Sequence, residues 1–319
     1  MVILSAPIPL HGPYLFKMFL SQNFTTKNKF SFYLLGSLVI ILLNFVGQIP
    51  LVFALQKYGG AQLPNADGME LLSIIPANLR LFLMLLPFVF SFLGIWLVVR
   101  QLHGQTLRSI ITSRAKVDFR RIVFAFVLWG GITTAVLGLD YMLNLEDYVW
   151  NYDAGLFWGT VLIGVLLIPV QTSVEELIFR GYLMQGFAGW FRNSLVPLLF
   201  TSIIFGSLHI ANPEIDKLGY EVLIYYIGTG LFLGLISLYD EGIELALGFH
   251  AANNLFTAIL VTANWTAFQT NALLVDVSEP ELGFELWVPL LIFFPLLFFI
   301  FGKKYQWIFT FKTLNKSYR

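Results

Sequence analysis

The stretch Ser173-Val174-Glu175-Glu176-Leu177-Ile178-Phe179-Arg180-Gly181-Tyr182 sets two adjacent carboxylates and an arginine inside an apolar run from residue 156 to 191. An ionisable side chain in hydrocarbon costs several kcal/mol on most scales, so such a residue normally faces a cavity or a partner. On a helix, Glu176 and Arg180 are four residues apart and can pair on one face. Glu175 is rotated about 100° away and has no partner within the motif, which leaves it free for chemistry. A carboxylate taken out of water is a competent general base near neutral pH. Two histidines stand in later apolar runs, His209 in Phe205-Gly206-Ser207-Leu208-His209 and His250 in His250-Ala251-Ala252-Asn253-Asn254. Asn254 lies one turn from His250 and shares its face, and Phe205 stands in the same relation to His209 as packing support. Neutral His and Asn can donate to a developing oxyanion, worth about 3 kcal/mol per donor in favourable cases.

These groups must be brought together by helices. The 319 residues are 57% hydrophobic and 12% charged, with mean hydropathy +0.76, against about 25% charged in soluble proteins. The chain therefore reads as a polytopic membrane protein. Its apolar runs are about 20 residues long rather than alternating ten-residue strands, so the expected fold is all-α, a transmembrane helix bundle. Eight spans are expected, at residues 32–55, 74–99, 122–143, from 156, 195–211, 222–238, 243–261 and 286–301. Convergence of three helices in a bundle core can assemble one site. Cys is absent, which excludes disulfides, thiol nucleophiles and Cys-ligated metals.

Charge placement sets the topology. With both termini inside, Lys17, Lys27, Lys29, the basic residues of segment 100–121, Arg180, Arg192 and the basic tail share one side, and only Lys57, Arg80 and Lys217 fall on the other. The expected organisation is a cytoplasmic segment 1–31 without a cleaved signal peptide, one transmembrane domain 32–302 with its chemistry in about 156–260, and a basic cytoplasmic tail 303–319. The location is a bacterial inner membrane, with the site opening toward the cytoplasm. Acidic and basic residues are equal in number, 19 each, and nucleic acid is not an expected partner. The expected partners are the bilayer and a membrane-associated protein or peptide.

With Glu175, Glu176, Arg180, Phe205, His209, His250 and Asn254 in order, the chain resembles the CPBP family of intramembrane proteases. That family includes the CAAX prenyl endopeptidases and bacterial abortive-infection and bacteriocin-immunity proteins. Its patterns EExxxR, FxxxH and HxxxN are met by Glu175-Glu176 with Arg180, Phe205 with His209, and His250 with Asn254, within residues 156–260. The resemblance implies hydrolysis of a peptide bond in or near the bilayer. Glu175 and His209 would activate a water, His250 and Asn254 would stabilise the oxyanion, and Glu176 with Arg180 would hold Glu175 in place. A related version places zinc on Glu175, His209 and His250 with the water as fourth ligand. Two other functions use the same residues: a peptide-binding or immunity protein that does not cleave, and a transporter in which Glu175 and the histidines carry protons.

For Glu175 and His209 to share a water, the fourth span must continue to Gly181 or beyond, with the site about 10 Å below the cytoplasmic surface. Pro169 and the polar group Gln171-Thr172-Ser173, just before the carboxylates, are expected to kink that span and open a cavity. The stretch 100–121 reads as a topology signal and anionic-lipid contact. Asp240, Glu241 and Glu244 read as solvated residues capping the next helix. The zinc motif HExxH, the aspartyl GxGD and a rhomboid-type serine motif are all missing.

Overall fold

The structure, a computed structural model, describes residues 19–22, 29–60 and 68–309. Most of segment 1–31 and of tail 303–319, including Lys17, Lys27, Lys312, Lys316 and Arg319, lies outside the described residues. Among those described, eight helices form the frame: α1 (Phe30–Gly59), α2 (Ala77–Leu102), α3 (Phe119–Leu143), α4 (Ala154–Phe191), α5 (Leu195–Ala211), α6 (Val222–Asp240), α7 (Glu244–Leu260) and α8 (Leu286–Tyr305). Each coincides with one of the apolar segments in the sequence. Six, all but α5 and α7, are long and apolar enough to cross a membrane. The 17 residues of α7 rise only about 25 Å, short of a hydrocarbon core of about 30 Å.

The helix surface is inverted relative to a protein in water. Leu34, Leu38, Phe45 and Phe53 of α1 and Leu162 and Leu166 of α4 are exposed, as suits side chains whose surroundings are lipid tails. The polar side chains turn inward. Helix α7 is the most enclosed, with Glu244 to Ala252 all buried, and it packs against α3 and α4, while α2 packs on both α1 and α4. The α3–α7 approach is close because Gly248 has no side chain: a Cβ there would meet the carbonyl of Ile122. Around it, Trp129 of α3, Phe232 of α6, Phe249 of α7 and Phe294 of α8 build one core cluster.

Helix α4 answers the depth problem. It starts at an Asp153 cap, whose side chain accepts from the Leu156 N–H, and runs without a break to Phe191, so both carboxylates lie inside it. Pro169 lies within regular α-helix. The departure from α-geometry comes after the carboxylates rather than before them, as a π-helical stretch from Leu177 to Leu183. Such stretches insert extra backbone into a helix and cluster at functional sites.

Two features differ from the expectation. Three short strands, β1 (Tyr148–Trp150), β2 (Val261–Ala263) and β3 (Leu274–Asp276), form a sheet of order β1-β3-β2, antiparallel between β1 and β3 and parallel between β2 and β3. They lie in the connections after α3 and α7. The acidic group after α6 is also not solvated. The side chains of Asp240 and Glu244 are 1% and 0% exposed, and Arg114 bonds both at 3.1 Å. Arg121 pairs with Asp240 as well and lies over the Tyr305 ring at 3.8 Å, while Trp307 Nε1 donates to Asp240 at 3.0 Å. Glu241 accepts from the Phe19 N–H at 2.6 Å. Arg114, before α3, and Arg121, in its first turn, are thus structural counter-ions that tie this end of α3 to the α6–α7 turn, because a buried carboxylate needs a hydrogen-bonded cation.

Candidate active site

The site starts with the helical spacing of α4. Arg180 Nη1 donates to Glu176 Oε1 at 2.9 Å, and both side chains are at most 1% exposed. The guanidinium also reaches the Gly230 carbonyl of α6 at 3.4 Å and lies 4.3 Å over the Phe205 ring of α5. The next residue, Gly181, lets the backbone of α4 pass against the Ile110 carbonyl, where a Cβ would clash. Arg180 is thereby fixed by an ion pair, a carbonyl and a ring from three helices, the kind of full partnering that a buried charge requires.

Helix α7 adds His250, which bridges the two carboxylates. Its Nδ1 lies 2.7 Å from Glu176 Oε1 and its Nε2 is 3.6 Å from Glu175 Oε2. Because a carboxylate accepts, Nδ1 carries the proton in that bond. Glu176 therefore holds His250 as well as Arg180, where the resemblance had assigned it to Glu175. Its second oxygen, Oε2, is buried without a hydrogen-bond partner among the described residues.

Glu175 draws its contacts from outside its own motif. Gln171, one turn earlier on α4, donates from Nε2 to Glu175 Oε1 at 2.5 Å, and Gln171 Oε1 accepts from Asn254 Nδ2 at 3.1 Å. Gln171 thus links the carboxylate of α4 to the amide of α7. In the sequence it reads only as part of a polar group before the carboxylates, although its i, i+4 spacing to Glu175 is the same as that of Glu176 to Arg180.

His209 sits where α5 tightens into a 3-10 turn, Leu208–Ala211. Its Nδ1 lies 2.8 Å from the Phe205 carbonyl, which can only accept, so Nδ1 carries the proton and Nε2 presents a lone pair. The ring is 4.9 Å from Phe205 and stacks on Tyr226 of α6 at 4.2 Å. Phe205 in turn meets the edge of His250 at 6.1 Å. His209 makes no direct hydrogen bond to Glu175 or His250 but lies within electrostatic reach of both, and of Glu214. Tyr226 and Glu214 were not singled out from the sequence. An aromatic in an apolar helix and an acid in a loop carry no spacing signal.

Hydrogen bonds therefore join Arg180, Glu176 and His250 in one set and Glu175, Gln171 and Asn254 in another, the two sets meet where His250 Nε2 lies 3.6 Å from Glu175 Oε2, and Phe205 packs between Arg180, His209 and His250. Among the described residues no three His, Asp or Glu side chains are grouped so as to hold a metal ion. Glu175, His209 and His250, the set that zinc would need, are not drawn together as a metal set would be; the atoms that Gln171 and Glu176 leave open are Glu175 Oε2 and His250 Nε2, 3.6 Å apart.

The Rce1-like family of type II CAAX prenyl endopeptidases matches residues 154–256, which contain Glu175, Glu176, Arg180, Phe205, His209, His250 and Asn254. The uncharacterized protein YyaK of Bacillus subtilis (strain 168) is 31% identical over 232 residues, covering 72% of this chain and 77% of the relative. No solved structure matches. With its apolar helices carrying the family's motifs in order, the chain is a membrane protein that belongs to the Rce1-like family of type II CAAX prenyl endopeptidases, a family of proteases.

Proposed function

We propose that the protein is an intramembrane endopeptidase that hydrolyses a peptide bond of a membrane-associated protein or peptide with a water activated by Glu175 and His209. The observation that carries this reading is the approach of His250 of α7 to both α4 carboxylates, with Phe205 of α5 packed between His250 and His209. Glu175 Oε2 and His209 Nε2 are both acceptors, so one water can donate a proton to each and turn a lone pair toward a carbonyl carbon. Glu175 takes the proton as the water attacks. Arg180 offsets one of the two carboxylates. His250, where its Nε2 carries a proton, and Asn254, from Nδ2, donate to the oxyanion. The proton held by Glu175 then passes to the leaving amine. The membrane is a bacterial inner membrane with both termini and the mouth of the site on the cytoplasmic side, a reading supported by the basic residues between α2 and α3.

The purified full chain in nanodiscs, assayed on membrane-anchored peptides, tests this reading. His209→Ala is expected to lower kcat about 10²-fold with little change in KM, and a zinc chelator is expected to leave wild-type turnover intact. Loss of turnover with the chelator, restored by zinc, would move the reaction to the metal version. Tight peptide binding without cleavage would favour the immunity or binding function, and proton-coupled uptake would favour a transporter.

A further inference from the structure

We infer that Trp129, Asn253 and Gln171 form a one-way hydrogen-bond chain that aims Glu175 and Asn254, which makes all three positioning residues for the hydrolysis proposed above, on which this inference rests. Trp129 Nε1 donates to Asn253 Oδ1 at 3.1 Å, Asn253 Nδ2 donates to Asn254 Oδ1 at 3.2 Å, Asn254 Nδ2 donates to Gln171 Oε1 at 3.1 Å, and Gln171 Nε2 donates to Glu175 Oε1 at 2.5 Å. An amide side chain can turn over and exchange its oxygen and nitrogen, so three amides in a row could point either way. The two ends remove that freedom. An indole N–H only donates and an ionised carboxylate only accepts, so the reversed chain would set donor against donor at Trp129 and acceptor against acceptor at Glu175. Turning over any single amide spoils two bonds.

The head of the chain is rigid. Trp129 is 5% exposed and stacks on Phe249 at 4.6 Å. The chain runs from α3 through α7 to α4, and in doing so it places two reacting groups. It occupies Oε1 of Glu175, which leaves Oε2 as the oxygen facing His250 and the water. It also turns the NH2 of Asn254 toward the carboxylate side, where its second N–H serves the oxyanion. A hydrogen-bond chain of uniform direction is polarised along its length, so a change at one end is felt at the other.

The test compares two substitutions of similar size in the full chain in nanodiscs at about pH 8, above the ordinary range of an Asp carboxyl. Asn253→Leu removes both bonds of the middle link. Asn253→Asp keeps the acceptor for Trp129 but sets an oxygen against Asn254 Oδ1, which drives Asn254 and then Gln171 to turn over. The expected result is a kcat about tenfold below wild type for Asn253→Leu and about 10²-fold below for Asn253→Asp, with KM held in both. If these amides merely tie helices together, Asn253→Asp keeps one of two bonds and is the milder change, and that order overturns the inference. A second measurement needs no cleavage and so separates failure of this inference from failure of the protease reading. With 15N-labelled tryptophan, and Trp129→Phe to assign the signal, Gln171→Leu is expected to move the Trp129 indole proton upfield although the two side chains do not touch. An unmoved resonance overturns the chain.

Discussion

Glu175→Gln is expected to lower kcat about 10³-fold to 10⁴-fold while leaving the folded bundle intact, as measured by peptide cleavage and a thermal melt on the same nanodisc preparation. The substitution keeps the shape of the side chain and an oxygen to accept from Gln171 Nε2. What it removes is the negative charge opposite His250 Nε2 and the group that takes the proton from water. A function that needs only binding would survive it, since an amide fills the same space. Retained cleavage would show that Glu175 is not the base.

Arg180→Met is expected to act on stability rather than on chemistry alone, with a loss of about 3–5 kcal/mol, the cost of leaving a buried carboxylate without its cation. Glu176 is 0% exposed, and without Arg180 its remaining bond is to His250. Methionine fills much of the stem's volume, so a cavity contributes little. The cation contact to Phe205 is lost as well, which loosens the ring that supports His209. Measured by denaturation in a mild detergent, the double variant Glu176→Gln with Arg180→Met should lose less than the sum of the single changes, because the orphaned charge is gone. Additive losses would mean that Glu176 and Arg180 do not act as a pair.

Much of the fold and half of the site could be read from residue spacing. Each apolar run became a helix, because a backbone without water must bond within its own segment. Glu176 and Arg180 paired because four residues are one helical turn. The cross-helix bonds followed from no such rule. That Glu176 holds His250, and that Gln171 stands between Glu175 and Asn254, depends on how α4 and α7 pack, and a single sequence does not encode that packing in any period. Asp240 and Glu244 were misread because acids beside Gly242 resemble a surface turn; their partners Arg114 and Arg121 lie 126 and 119 residues from Asp240. The three strands escaped because three residues each are too few for alternation to show.

In the mechanism proposed, water activated by Glu175 and His209 attacks the peptide bond with no covalent intermediate. A single-turnover cleavage in H2(18)O, with mass analysis of both the product and the Glu175-containing fragment of the enzyme, separates this from attack by the carboxylate. One 18O in the new carboxyl group of every product molecule and none in Glu175 is the expected result. Label in Glu175 with unlabelled product would mean that the carboxylate attacks as a nucleophile through an anhydride, and would overturn the water mechanism.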